Sequence, residues 1–359
     1  MRKQFGKDKI IILLGAGASC DAGIKNSYQM ITEIESSLKG SWKDYSELYN
    51  YIHSSHYHLE RIKGTDSKNI YFNIESLVGL LDAIIRISTK EVDIYPFIGS
   101  WEKELLTVAG LKLEKAQEFK RLILEKMKNS WLSPEQFIAD SSYYKKIKEL
   151  GYNYPLKIFS LNYDMSVEKN LESSEILLER GFNEQRIWDY RLYEPSEEKE
   201  INYFLYKLHG SLDWKRDSEN RLTYTDNISN VEPLKMEIIF GVQNKLQSYD
   251  PYLFYFYSFR EACIDAELII VSGYGFLDKH INDNITSSIK LDANKKLLVN
   301  VFEKDLEKFK NDIVTKLGIQ EANLYLENKS AKEFFNDNFN LDYFSTLYKD
   351  EESEDSLLP

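Results

Sequence analysis

The stretch Lys9-Ile10-Ile11-Ile12-Leu13-Leu14-Gly15-Ala16-Gly17-Ala18-Ser19 constrains the chain more than any other. A short apolar run this rich in isoleucine predicts a strand buried on both faces, as in a parallel sheet. It stops abruptly at Gly15, and a third glycine follows at Gly23. Glycines let the backbone turn tightly and let a phosphate approach the amides with no Cβ in the way. Ser19 or Asp21 is placed to cap a following helix, whose N-terminus would face a pyrophosphate. The unit therefore suits a dinucleotide. Its spacing departs from Gly-x-Gly-x-x-Gly, because position 20 is Cys20. A Gly-x-Gly turn after a strand is as often a plain tight turn, so the rest of the chain has to decide.

Downstream, 28–38 has helical spacing. From about 42 to 154 apolar residues recur every three or four positions and no strong strand pattern interrupts them, which predicts a helical insertion. The sheet resumes at 156–161, with further strands expected at 201–208, 268–271, 296–302 and 323–326. Helices are expected from about 166, over 251–264, from 279, over 304–317 and over 331–338. The segment 215–237 is polar and turn-rich, with a hairpin at 221–224 and a short strand at 238–241. Strands alternating with helices predict an α/β fold: a Rossmann-like, doubly wound, mostly parallel sheet covered on both faces. Residues 1–345 are expected to form one domain carrying the insertion. The tail 346–359, with Asp-Glu-Glu-Ser-Glu-Asp, is expected to be disordered.

Composition narrows the function. A formal net charge of −12 argues against a nucleic-acid binder. The two cysteines, Cys20 and Cys263, cannot build a four-cysteine zinc module and read as small buried residues. A disulfide framework is not expected, which fits a reducing compartment. The run Ile10–Leu14 is too short for a signal-peptide core and no window is long enough to span a membrane, so a cytoplasmic location is expected. His53, His56 and His58 lie close together, but no carboxylate or cysteine pattern accompanies them; packed or solvated histidines are expected, and no metal.

In open parallel sheets, ligands bind outside the carboxyl ends of the strands. Here each predicted strand ends in something chemically specific: Gly15 to Ser19, then Asn162 and Asp164, then His209, then Gly273 and Tyr274, with Asn300 near the end of the next. Taken singly, Asn162 and Asp164 read equally well as helix caps, His209 as a turn histidine and Gly273 as a turn glycine. Taken together they point to one site at one edge.

The same residues carry a family resemblance. Gly15-Ala-Gly17-Ala-Ser19 with Ala22-Gly23-Ile24 resembles the opening motif of sirtuins. Ser160-Leu-Asn162-Tyr-Asp164 resembles their Thr-Gln-Asn-Ile-Asp segment, and Lys207-Leu-His209-Gly-Ser211 the segment bearing their catalytic histidine. Val271-Ser-Gly273-Tyr274-Gly275-Phe276, with Asp278, His280, Ile281 and Asn282, resembles the later glycine segment of the sirtuin-like bacterial branch, and Val299-Asn300 the strand beside adenosine. The motifs keep the family's order from about Ile10 to Phe302. Two features of deacylases are missing: the four-cysteine zinc module, and the Pro and Phe-Arg pair, where Lys25-Asn26-Ser27-Tyr28 stands instead. The insertion also sits elsewhere, before the Asn162 segment. The resemblance is therefore to sirtuin-like NAD-cleaving effectors of bacterial antiviral defence. It implies NAD as substrate, no metal, a homo-oligomer, and a separately encoded partner such as a HerA-type ATPase or a short Argonaute.

On that resemblance, Gly15, Gly17 and Ser19 would hold the pyrophosphate and Gly273 and Asn300 the adenosine half, with Ala16, Gly23 and Tyr274 also expected to bind the dinucleotide. Asp164 would contact the nicotinamide end. Asn162, His209 and Asp164 are the expected catalytic residues, with Asn162 and His209 doing the chemistry. Breaking the nicotinamide–ribose bond needs little covalent help, because the cationic ring departs neutral through an oxocarbenium-like transition state. A positioned amide can orient a water, and a histidine near neutral pKa can take a proton. The alternatives are an NAD-dependent protein deacylase and a nucleotide-sensing module without catalysis.

Overall fold

Strand β1 (Ile10–Leu14) is buried along its whole length, and its side chains alternate between two cores. Ile11 and Leu13 face one; Ile10, Ile12 and Leu14 face the other. Such period-two division is what a strand covered on both faces requires. The computed structural model describes residues 3–67, 70–88, 99–110, 112–133, 137–172, 176–194, 200–240 and 250–348.

The other strands are β2 (Leu156–Ser160), β3 (Leu178–Glu179), β4 (Tyr203–Lys207), β5 (Gly210–Arg216), β6 (Leu222–Tyr224), β7 (Met236–Ile238), β8 (Leu268–Ser272), β9 (Lys296–Val301) and β10 (Leu324–Asn328). Seven form one sheet in the order β10-β9-β8-β1-β2-β4-β3, and every pairing in it is parallel. From β1 the chain winds outward through β2 and β4 on one side and through β8, β9 and β10 on the other. The order therefore reverses at β1, and the crevice at its carboxyl end is where such a sheet takes a ligand.

Helices Tyr252–Asp265, Lys279–Leu291 and Leu306–Leu317 cover one face through Tyr255, Phe259, Ile285 and Ile313. Tyr143, Tyr144, Ile147, Phe334, Phe335 and Phe344 cover the other. The described part of 42–154 is helical, with Ser46–Ile62, Ile74–Ser88, Gly99–Ala109 and Glu114–Lys126, and no strand among the described residues. Its core, including Leu48, Leu77, Phe119 and Trp131, takes in Tyr163, Met165, Leu212 and Phe240 from beyond the carboxyl edge. The insertion is thus packed against the segments that follow β2 and β4. Of its histidines, His53 and His56 have their rings against Phe72, His56 Nε2 is 3.1 Å from the Tyr71 carbonyl, and His58 is exposed. Among the described residues no helix is long and apolar enough to cross a membrane.

Three features differ from the sequence expectation. The glycine turn runs into a 3-10 helix, Ala16–Ala22, and the next helix, Ser27–Ser37, is capped by Asn26 in a capping box with Gln29. Neither Ser19 nor Asp21 caps it: Ser19 is buried, and Asp21 accepts the Lys332 amide. The residues after His209 form β5 of a separate antiparallel sheet, β6-β5-β7. Burial of Ser211 and Asp213 hides the apolar alternation by which a strand is recognised. The two-residue edge strand β3 and the helix Leu341–Thr346 were not expected at all. The strand expected over 238–241 lies earlier, at Met236–Ile238, and residues 239–240 are not strand. Of the tail expected to be disordered from 346, Thr346 ends a helix and Leu347 and Tyr348 are buried, while 241 and the tail from 349 lie outside the described residues.

Candidate functional site

Two glycine turns meet back to back at the carboxyl ends of β1 and β8. Gly15 N–H donates to Ser272 O at 2.9 Å and Gly17 N–H to Gly273 O at 2.8 Å. Gly273 has φ +66, and a Cβ there would stand 1.9 Å from Ala18 N. A Cβ on Gly15 would stand 2.6 Å from Gly273 O. Close approach of two main chains therefore requires these glycines. The amides of Gly17 and Ala18, the latter donating to Gly15 O, are already engaged within the protein. Gly23, at φ 76, ends the 3-10 helix as a left-handed cap.

Asn162, 7% exposed, leaves β2 beside this turn. Its Nδ2 donates to Gly15 O at 2.9 Å and to Ser19 Oγ at 3.3 Å. A carbonyl can only accept, so the nitrogen must face it and the amide's orientation is set. Its Oδ1 is buried without a hydrogen-bond partner. Behind Ser19 stand two tyrosines: both hydroxyls reach Ala18 O, at 2.6 Å from Tyr143 and 2.9 Å from Tyr144, and Tyr144 is 3.2 Å from Ser19 Oγ. Burial pushes both phenols well above their ordinary range, so they stay protonated donors. One assignment satisfies the chain: Asn162 donates to Ser19, Ser19 to Tyr144, Tyr144 to Ala18 O.

His209 stands at the joint between the two sheets. Its neighbour Gly210 has φ +86, and a Cβ there would lie 2.1 Å from Glu237 O. In register, Ser160 pairs with Lys207, so Asn162 and His209 are each two residues past the ends of adjacent strands. The imidazole is buried against Tyr163, with ring centroids 6.4 Å apart, and its Nε2 lies 3.4 Å from Asp278 Oδ2. Asp278 is itself held: Oδ1 caps the helix Lys279–Leu291 by accepting the His280 amide, and its own N–H and C=O both meet the Tyr274 hydroxyl. Asp164 is buried, and its Oδ1 accepts the Ser166 amide at the start of helix Ser166–Leu171.

The structure thus brings Gly15, Ala16, Gly17, Ser19, Asn162, Gly273 and Tyr274 to one edge, with His209 and Asp164 on the adjoining strand ends. Asn300 is there too, but its side chain ties strand ends together: it accepts from Ser272 Oγ at 2.7 Å and donates to Lys329 O at 2.8 Å. Tyr274, besides contacting Asp278, bonds Asn282 Oδ1 at 3.0 Å. Cys20 is half-buried at this turn, bonded weakly to Ala16 O and Asn26; burial raises its thiol pKa. Sequence reasoning assigned no role to Asp278, Tyr143 or Tyr144. For Asp278 the available signal was an aspartate at a helix start; the Tyr-Tyr pair carries none beyond its apolar bulk. Among the described residues no group of His, Cys, Asp and Glu is placed to hold a metal ion.

A family model described as a SIR2-like domain matches residues 156–322, less than half of the chain. The match includes Asn162, Asp164, His209, Gly273, Asp278 and Asn300 and leaves out the opening turn. Solved structures with a similar course include a Sir2 homologue in complex with NAD, 12% identical, covering 96% of this chain and 97% of that one at a TM-score of 0.45. Another is a mutant Sir2 homologue with 2'-O-acetyl ADP-ribose, 14% identical, covering 96% and 93% at a TM-score of 0.42. At these values the likeness assigns no residue a role. Among curated proteins, none matches the chain in sequence.

Proposed function

We propose that this chain cleaves the nicotinamide–ribose bond of NAD, giving nicotinamide and ADP-ribose. The observation that carries the reading is the Asn162 amide. Both its hydrogens are committed to Gly15 O and Ser19 Oγ, so Oδ1 is left as a fixed, buried acceptor beside the glycine turn. An acceptor held this way suits an attacking water, and it suits a ribose hydroxyl equally well in geometry and charge. His209 takes the proton. With Nε2 facing the Asp278 carboxylate at 3.4 Å, Asp278 holds the ring, and Nδ1 is the nitrogen that accepts. Asp164 meets the nicotinamide end through the oxygen not used by Ser166. Gly15, Ala16, Gly17, Ser19 and Gly23 receive the pyrophosphate, and Gly273, Tyr274 and Asn300 shape the adenosine side, the last by holding β8, β9 and β10 together.

The rival is protein deacylation. Two cysteines cannot form that family's zinc module, and the place of its Phe-Arg pair is used here to start a helix, with Asn26 in a capping box and Tyr28 77% exposed. We place the activity in antiviral defence, in a cytoplasmic homo-oligomer restrained until a partner such as a HerA-type ATPase or a short Argonaute releases it. The test is incubation of the purified chain with NAD, alone and with an acetyl-lysine peptide. Nicotinamide and ADP-ribose without peptide are expected; O-acetyl-ADP-ribose formed only with peptide would give the rival the better case.

A further inference from the structure

Directly behind the two strand ends lies a buried cluster of four charged side chains. Lys207, the last residue of β4, sends its ammonium to the main-chain carbonyl of Asp164 and stands 3.2 Å from Glu168 Oε1. Arg180 meets Asp213 Oδ2 at 2.6 Å and, toward the surface, Glu172 Oε1 at 3.2 Å. Glu168 also feels the fields of Arg180 and Asp213. Lys207, Glu168 and Asp213 are almost wholly buried.

Stability does not explain the Lys207–Glu168 pair. Two desolvated charges seldom outperform packed apolar side chains of the same size. The pair is also incompletely satisfied, since neither Glu168 oxygen makes a hydrogen bond. Burial raises the Glu168 pKa against the pull of Lys207 and Arg180. Placement does explain it. Lys207 is two residues before His209, and Asp164 is two residues after Asn162. The Lys207 ammonium joins the two connections, and its contact is to a carbonyl that no substitution of Asp164 would remove.

We propose that Lys207, held by Glu168, is a positioning residue that sets the separation of the Asn162 amide from the His209 imidazole. This rests on the NAD-cleaving reading for its kinetic arm alone. A lysine is suited to the task, because its ammonium can serve the carbonyl and the carboxylate together.

The test is the charge-balanced double variant Lys207→Met with Glu168→Leu, which keeps volume and leaves Arg180 its Asp213 and Glu172 partners. The expected result is a folded protein with melting temperature near wild type, kcat lowered at least tenfold, and KM for NAD little changed. A folded double variant with wild-type kcat overturns the proposal. Glu168→Gln retains the shape if the double variant does not fold; lowered kcat at constant KM is expected, and unchanged kcat again overturns it. Hydrogen exchange provides the arm without substrate. The Ser166 amide, bonded to Asp164 Oδ1, and the Leu212 amide, bonded to Tyr163 O, should exchange at least tenfold faster while β1 amides do not change. Equal exchange in variant and wild type refutes positioning. Absence of NAD cleavage by the wild type would sink the proposed function and leave this exchange result to judge Lys207.

Discussion

The two edges of the seven-stranded sheet differ in kind. At the amino ends of β1, β2 and β4 there is a cavity of about 780 Å³ lined by aromatic rings such as Tyr152, Tyr154, Tyr190 and Tyr203 among mixed charges. At the carboxyl ends the polar groups are buried and interlocked, and a cavity between His209, Asp278, Tyr252 and Phe256 is small. Room alone would favour the amino edge, the opposite of the edge proposed here. Chemistry needs oriented groups with restricted partners, and these lie where two backbones touch and an amide has one acceptor left over. At the amino edge the ion pair Lys157–Asp8, 2.9 Å, is a quarter exposed and worth little.

Substitutions matched across the two edges test this contrast. The largest effect is expected for Asn162→Ala and His209→Ala, each lowering NAD cleavage by at least ~100-fold, the range of a lost general base or water-orienting group. Tyr154→Ala in the opposite cavity should leave turnover unchanged. Product analysis by chromatography decides, and equal losses at both edges would erase the distinction. The next effect is on folding. Gly273→Ala and Gly151→Ala both place a Cβ at positive φ, +66 and +67, but only the first meets main-chain atoms. Denaturant titration should find roughly 1–2 kcal/mol lost at Gly151, the left-handed penalty alone, and well over ~2 kcal/mol more at Gly273 from the clash.

How much of this was legible depended on whether a signal is local. β1 and β8 show in the sequence because burial on both faces demands uninterrupted apolar residues. Asn162 and His209 show because a polar group just after such a run is conspicuous. Asp278 reaches His209 only through the fold, and nothing near it in the chain announces a partner 69 positions away. β5 was missed because its polar residues are buried by pairing, Asp213 with Arg180, so the pattern reads as a surface loop. The glycines were found for a partly different reason: the need at Gly15 and Gly17 is room for Gly273, before any phosphate.

A smaller contrast sets two tyrosines against each other. Tyr144→Phe breaks the chain from Ala18 O to Ser19 and should cost about 1 kcal/mol, the net worth of a hydrogen bond, and lower turnover. Tyr152→Phe, which loses contacts to Gly6 and Lys9 at the amino edge, should cost a similar amount and leave turnover alone. Thermal melts beside activity assays separate the two. The smallest effect concerns Cys20. Its raised pKa leaves less thiolate near pH 8 than a free cysteine has, so alkylation should be slower there and still climbing above pH 9. A rate that levels off below pH 8 would contradict it.

β1 pairs with β2 and β8, which arrive more than 140 and 250 residues later, and the Asn162–Ser19 contact spans 143 positions. Contacts so far apart in the chain are slow to close, and chains emerge from the ribosome N-terminal part first. A growing polypeptide that has made the glycine turn therefore has neither the amide nor the imidazole to work with. On the proposed reading, the site is incomplete until Asp278, the partner of His209, has left the ribosomal tunnel.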